Sequence, residues 1–187
     1  LAPITDTSEM AETITNVIAK LRKDSLYPAM FKKAFGDTAV NTQRFTKALS
    51  QFVLMLVSSN SKYDRVMQGK DSFNLPQRLG YAIFREKCMS CHQPPLFTDL
   101  SYRNTGLPVD DFLRDYGRMK ITHDATDSLK FKVPSLRNVQ VSFPYMHDGR
   151  MTSLVHVMRH YSGSVTNSSS IDSLLKNGIP LSNFEIG

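Results

Sequence analysis

FREKCMSCHQPP, residues 84–95, holds both cysteines of a 187-residue chain, Cys88 and Cys91, with His92 directly behind the second. C-x-x-C-H is the spacing of a covalent c-type haem attachment site. Two thiols three positions apart can add across the two vinyl groups of one porphyrin edge. The next residue then lies under the ring, where an imidazole nitrogen can bind iron as the proximal ligand. Two other chemistries compete for the same string. Structural zinc needs a closed set of N/S ligands, and no second Cys pair or spaced His pair follows. A thioredoxin-like redox pair needs a βαβ setting, which the flanking sequence does not offer.

Composition is that of an ordinary globular protein able to bury a core, with 41% hydrophobic and 21% charged residues. No apolar run approaches the roughly eighteen residues of a membrane-crossing helix. The formal charge of +6 could attract an acidic redox partner or nucleic acid. Because Lys and Arg are scattered rather than clustered, a solvated surface is the simpler reading, with no nucleic acid involved. Haem c is attached outside the cytoplasm, so the motif implies export. The start at Leu1 and the capping box Ser182–Glu185 next to the end suggest a piece of a longer protein.

Apolar periodicity predicts an all-α, cytochrome c-like domain with long loops wrapped around one haem. A first helix is expected from Asp6 and Glu9 onward, with Met10, Ile14, Val17, Ile18 and Leu21 on one face. Pro28 opens a second that ends near Gly36. Asn41 caps a third, whose stripe of Phe45, Ala48, Leu49, Phe52, Val53 and Leu56 reads as core. Pro76 opens a fourth through Leu79, Ile83 and Phe84, which delivers Cys88 to the haem edge. Residues 93–132 carry little periodicity, and so long a loop suggests wrapping around something. Thr152 or Ser153 caps a fifth helix through Leu154, Val157, Met158 and Tyr161. Ile171, Leu174 and Leu175 suggest a short last helix before Gly178. No strand pair or internal repeat stands out.

Several further strings occur in one family's order around the haem motif. They are SNSKYDRVMQG (59–69), DYGR (115–118), FKVPSLRNV (131–139) and PYMHDGRMTSL (144–154). Together they closely resemble the C-terminal half of bacterial di-haem cytochrome c peroxidases and their relative MauG, and the match runs through nearly the whole chain. The resemblance implies that residues 1–187 are the C-terminal, electron-transfer haem c domain of a periplasmic two-domain enzyme. In such an enzyme an N-terminal haem domain reduces hydrogen peroxide, fed with electrons from a small cytochrome or copper protein. With a single C-x-x-C-H, this chain holds one of the two haems, and the peroxidatic domain lies outside it.

The resemblance also suggests the second axial ligand. Peroxidases of the family place a methionine fourteen positions after the histidine of the PYxHxG motif. That histidine is His147 here, and the corresponding position is Tyr161, as in MauG-type proteins. Met158, one turn earlier on the same helical face, is the alternative. A neutral thioether favours ferrous iron and raises the potential, whereas an anionic phenolate favours ferric iron and lowers it. Arg118 and Arg137 are candidate partners for the haem propionates, since Arg pairs with carboxylates through two parallel bonds. His147 is expected near the haem or the domain interface rather than on iron, and Asp148-Gly149 reads as a tight turn. The family's interdomain calcium corresponds to the backbone carbonyls of Ser142 and Pro144, hard oxygen donors suited to that ion. His123, His156 and His160 carry no motif support. Homodimers occur in the family.

Three functions follow. The first is the electron-transfer domain of a di-haem cytochrome c peroxidase. The second is a MauG-like oxidase acting on a protein or other substrate, which Tyr161 favours. The third is a stand-alone monohaem carrier, with a zinc-binding module more distant still.

Overall fold

A computed structural model describes residues 1–7 and 9–187. The chain divides into two compact units, Leu1–Ser59 and Asn60–Gly187.

In the first unit a short helix α1 (Ala2–Thr5) precedes α2 (Ile14–Lys23), α3 (Leu26–Phe35) and α4 (Thr42–Met55). The helix expected from Asp6 starts later, at Ile14. Ala11 adopts a positive φ of 47°, and the Thr13 side chain accepts from the Asn16 amide to cap the helix. Asn41 caps α4 in the same way, accepting from Arg44 N at 2.9 Å. Gly36 ends α3 in the left-handed conformation, φ 93°, where a Cβ would be strained. Ile18, Phe31 and Val40 form the core, flanked by Ile14, Leu21, Phe35 and Phe45.

The apolar stripe of α4 is a correction. Phe45 reaches the core, but Phe52, Val53 and Leu56 are 60–66% exposed, and no residue of α4 is buried. Periodicity marks a face that prefers cover; it does not say what covers it.

The second unit carries α5 (Lys62–Met67), α6 (Leu75–Lys87), β1 (Tyr102–Arg103), α7 (Met119–Thr122), β2 (Phe131–Lys132), α8 (Leu154–Gly163) and α9 (Asn183–Ile186). Its regular elements are mainly helices, as expected, but β1 and β2 pair antiparallel, Tyr102 opposite Lys132 and Arg103 opposite Phe131. Two residues per strand is too short for alternation to register in sequence. Helix α5 also went unforeseen, although Ser61 and Asp64 form a complete capping box. The expected helix at Ile171–Leu175 is a run of turns instead, which still buries Ile171 and Leu175. Capping boxes open α6, through Asn74 and Gln77, and α9, through Ser182 and Glu185. Lys87 at the end of α6 donates to Pro180 O (2.5 Å) and pairs with Glu185 (3.0 Å), tying α6 to α9.

Gly117, inside the DYGR string, has φ 60°, and a Cβ there would meet the carbonyl oxygen of Lys130. That carbonyl accepts from Arg118 N at 2.8 Å, so the backbone cannot withdraw without breaking the contact. Gly117→Ala is expected to cost about 2 kcal/mol or more from strained φ and the clash together. Urea denaturation compared with the parent chain measures it; an unchanged midpoint would show that the 115–130 loop yields freely.

Candidate haem site

Helix α6 ends at the first cysteine. Cys88 is its C-cap, with the amide still bonded to Phe84 O at 2.9 Å. The chain then turns tightly: Cys91 N and His92 N both donate to Cys88 O, at 3.2 and 3.0 Å. Both thiols are free and half-buried. Burial, then the neighbouring Cys91, pushes the Cys88 thiol up from its ordinary pKa, so it stands protonated at neutral pH.

His92 is held by its own loop. Nδ1 lies 3.0 Å from Phe97 O, and because a carbonyl only accepts, Nδ1 carries the proton. Nε2 then presents a lone pair, the tautomer a metal-binding imidazole needs. Burial lowers the His92 pKa against the opposing pull of the Phe97 and Pro134 carbonyls, which keeps the ring neutral. The Phe97 carbonyl is itself fixed. It also accepts from Leu136 N at 3.3 Å, and its residue's ring meets Tyr63 edge-on at 4.8 Å and Phe84 at 5.6 Å. Thr98 Oγ1 donates to Val133 O at 2.6 Å, and Ser135 Oγ to Leu96 O at 2.5 Å. The VPSLRN segment thereby braces the loop behind the histidine.

Tyr161 comes from α8, which Ser153 caps by accepting from His156 N. Its phenol pKa is pushed up to about 12, first by burial and then by the thiols of Cys91 and Cys88. Tyr161 therefore lies within electrostatic reach of both cysteines, from a distant part of the chain. The residue before it, His160, is only 3% exposed. Its Nε2 donates to Thr105 O at 2.9 Å, and its ring packs edge-on to Tyr161 at 5.4 Å. A histidine without motif support is thus a buried strut that sets α8 beside residues 104–106. Met158 is half-buried on the same helix.

The remaining candidates have protein partners of their own. Arg137 makes a two-bond pair with Asp64 (2.8 and 2.9 Å) and donates Nε to Pro95 O at 2.8 Å. Three of its five N–H groups are so engaged, leaving two for a propionate. Arg118 donates Nε to Asp127 at 3.0 Å and covers the Tyr102 ring at 4.2 Å. His147 stacks on Phe131, centroids 3.7 Å apart, and its pKa is lowered chiefly by burial. Gly149 has φ 71°, as a tight Asp-Gly turn requires. Ser142 and Pro144 flank Phe143 in an exposed segment. Among the described residues, no three His, Cys, Asp or Glu side chains converge as a metal site, and no helix is long and apolar enough to cross a membrane.

Two residues of this region went unnoticed in the sequence. Arg103 binds Asp99 (2.8 Å), Asp172 (2.7 Å) and Ser101 (3.0 Å), and its charge is felt at both His92 and Cys91. Asn104, 1% exposed, donates to Ser168 and Ser170 and accepts from Gly106 N. A single Arg-Asn dipeptide carries no spacing signal. Its partners Ser168, Ser170 and Asp172 lie more than sixty positions away, where only the fold can bring them.

The donor set fits a c-type haem. Two free thiols and a neutral imidazole with a free lone pair share one turn, and a buried phenol is brought near from another helix. Arg118 and Arg137 lie in the same unit with N–H groups to spare.

A family model described as di-haem cytochrome c peroxidase matches residues 1–72. MauG, the methylamine utilization protein of Methylophilus methylotrophus, is 33% identical over 98% of this chain and 55% of its own length. The cytochrome c551 peroxidase of Nitrosomonas europaea is 36% identical over 81% of the chain and 47% of its own. The chain thus spans about half the length of these relatives. Among solved structures, a MauG-like protein associated with microbial copper homeostasis superposes with a TM-score of 0.86 at 26% identity, over 100% of this chain and 64% of that one. A variant of the di-haem peroxidase BthA of Burkholderia thailandensis shares the fold, with a TM-score of 0.68 at 19% identity over 93% and 51%.

Proposed function

Since the chain belongs to the di-haem cytochrome c peroxidase and MauG family, we propose that it is the electron-transfer haem c portion of a periplasmic di-haem peroxidase. Electrons reach it from a small cytochrome or copper protein and pass to a second haem in a further domain, where hydrogen peroxide is reduced. All candidate haem residues, from Arg118 to Tyr161 and including the Cys88–His92 turn, belong to the unit Asn60–Gly187, so that unit is the haem-bearing one. The observation that carries this reading is the Cys88–Cys91–His92 turn with Nδ1 held by Phe97.

When bound, the haem supplies one-electron chemistry at iron. The chain's own residues do the rest. Cys88 and Cys91 would anchor the porphyrin, and His92 would offer Nε2 to the iron. The Phe97 and Pro134 carbonyls hold the imidazole orientation. Arg118 and Arg137 offer their unused N–H groups to propionates. Tyr161 would supply the second iron ligand, with Met158 the alternative. Calcium at the Ser142 and Pro144 carbonyls belongs to the same proposal, with its remaining ligands outside this chain.

A MauG-like oxidase, acting on a protein or other substrate, is the second reading. Tyr161 favours it, because a phenolate ligand suits a centre that holds oxidising equivalents.

Expression alongside a cytochrome c maturation system tests the first step. Intact mass should rise by one haem, and the Soret band should survive acid–acetone extraction. Cys88→Ser with Cys91→Ser should lose both signals. A parent chain that gains no mass would remove the haem reading, and with it both functions.

A further inference from the structure

We propose that Asp64 and Arg137 form the positioning device for the His92 imidazole, by clamping the loop whose carbonyl holds it. The contacts run without a gap. Ser61 N and Oγ both donate to Asp64 Oδ2, at 2.8 and 2.7 Å, which fixes the carboxylate at the start of α5. Arg137 grips that carboxylate with both terminal nitrogens, at 2.9 and 2.8 Å. The third donor, Nε, reaches Pro95 O at 2.8 Å. The guanidinium also faces the Phe97 ring at 5.6 Å, and the Phe97 carbonyl accepts from His92 Nδ1 at 3.0 Å.

The pair is well shielded, with side chains 14% and 10% exposed. A bidentate Arg–carboxylate fork fixes orientation as well as distance. Asp64 stays ionised throughout the useful pH range, because the hydrogen bonds from Arg137, then Ser61, hold its carboxyl well below the usual range. Groups outside the ligand shell that orient a metal-bound histidine commonly govern its affinity about 10- to 100-fold. In this chain that outer layer begins 28 residues before His92 in sequence, in SNSKYD, and 45 residues after it, in PSLRN. One clamp therefore accounts for two strings that are far apart in the chain. Arg137 acts through Phe97 and touches neither iron nor His92, so it is a positioning residue.

This inference rests on His92 carrying the covalently attached haem, so it is tested on the haem-loaded protein. Arg137→Lys keeps the charge but loses the fork and the reach to Pro95. Asp64→Asn keeps the shape but removes the charge that fixes Arg137. Both variants should retain covalent haem, and Arg137→Lys should melt close to the parent protein. The Thr98 amide, bonded to Gln93 O at 3.3 Å, should nevertheless exchange about tenfold faster or more. The ferric EPR g values should shift as the imidazole plane turns. The Phe45 amide in the first unit, bonded to Asn41 O, serves as the unchanged internal control.

Parent-like g values and Thr98 exchange in both variants would overturn the proposal. So would parent-like behaviour of Arg137→Lys alone, since any cation would then suffice. Should Arg137→Lys fail to fold, Asp64→Asn decides by the same two readings. Collapse of both variants would make the pair a general fold element and overturn the positioning role. A parent chain that takes up no haem fails at an earlier and separate point, the haem reading itself.

Discussion

Replacing Tyr161 with phenylalanine is expected to convert the ferric haem-loaded protein from a six-coordinate His/phenolate spectrum to a high-spin one. The reduction potential should rise by on the order of 0.1 V or more, inside the roughly 0.8 V range that axial ligands span. Charge gives the direction: an anionic phenolate stabilises ferric iron, and its removal releases that preference. The chain by itself holds the phenol protonated up to a pKa of about 12, through burial and the neighbouring thiols. At neutral pH only a cation can draw the proton off, so phenolate absorption should be absent from haem-free chain and present in ferric holoprotein. Near-infrared magnetic circular dichroism and low-temperature EPR of parent and variant make the comparison. A thioether charge-transfer band that persists unchanged in Tyr161→Phe would exclude the tyrosine. Met158 would then be the ligand, and the ordinary peroxidase reading would stand without its MauG-like rival.

The second large effect is expected from Arg103→Met. Arg103 holds two carboxylates, Asp99 at 2.8 Å and Asp172 at 2.7 Å, and their side chains are only 13% and 12% exposed. Removing the cation leaves both poorly solvated and facing each other, which should cost about 2–3 kcal/mol at neutral pH. The pH dependence has a definite sign. In the parent, burial raises the Asp99 pKa, but the hydrogen bonds from Arg103 and Ser101 outweigh it and bring the value to about 2, against an ordinary 3.8. The folded state thus prefers ionised Asp99. That contribution is complete above about pH 4 and is lost as pH falls towards 2. In Arg103→Met only the Ser101 hydrogen bonds still oppose burial, so the preference for ionised Asp99 is weakened. The gap between the two proteins should therefore be widest near neutrality and close as pH drops below about 4. Chemical denaturation of both at several pH values measures it. A gap that stays constant through this range would show that Arg103 acts by packing alone.

Much of this molecule was legible because the relevant forces are local. Asn41, Ser153 and Ser182 were readable as helix starts, since a side-chain oxygen three positions before a free amide caps it whatever lies elsewhere. Gly36 was readable as a helix end and Gly149 as a tight turn for a similar reason. The turn proposed to carry the haem was legible too. C-x-x-C-H works within one turn, and the structure builds that turn from hydrogen bonds between neighbours in sequence.

What the sequence could not supply concerns groups that meet across the chain. A 3.6-residue stripe in α4 announced a buried face, yet Phe52 and Val53 are exposed. The pattern encodes the appetite for burial and not its satisfaction. Arg137 offered itself as a propionate partner on chemistry alone, but the fold gives it Asp64, 73 positions away. His160 had no motif and is nevertheless among the most buried polar residues, because Thr105 O meets it there. Local chemistry alone marked where haem would attach and which imidazole would face it. Only tertiary structure decided what orients that imidazole, which phenol approaches the thiols, and which arginines are already engaged. Those contacts span tens of residues, and their energy exists only once the chain has closed the loops between them.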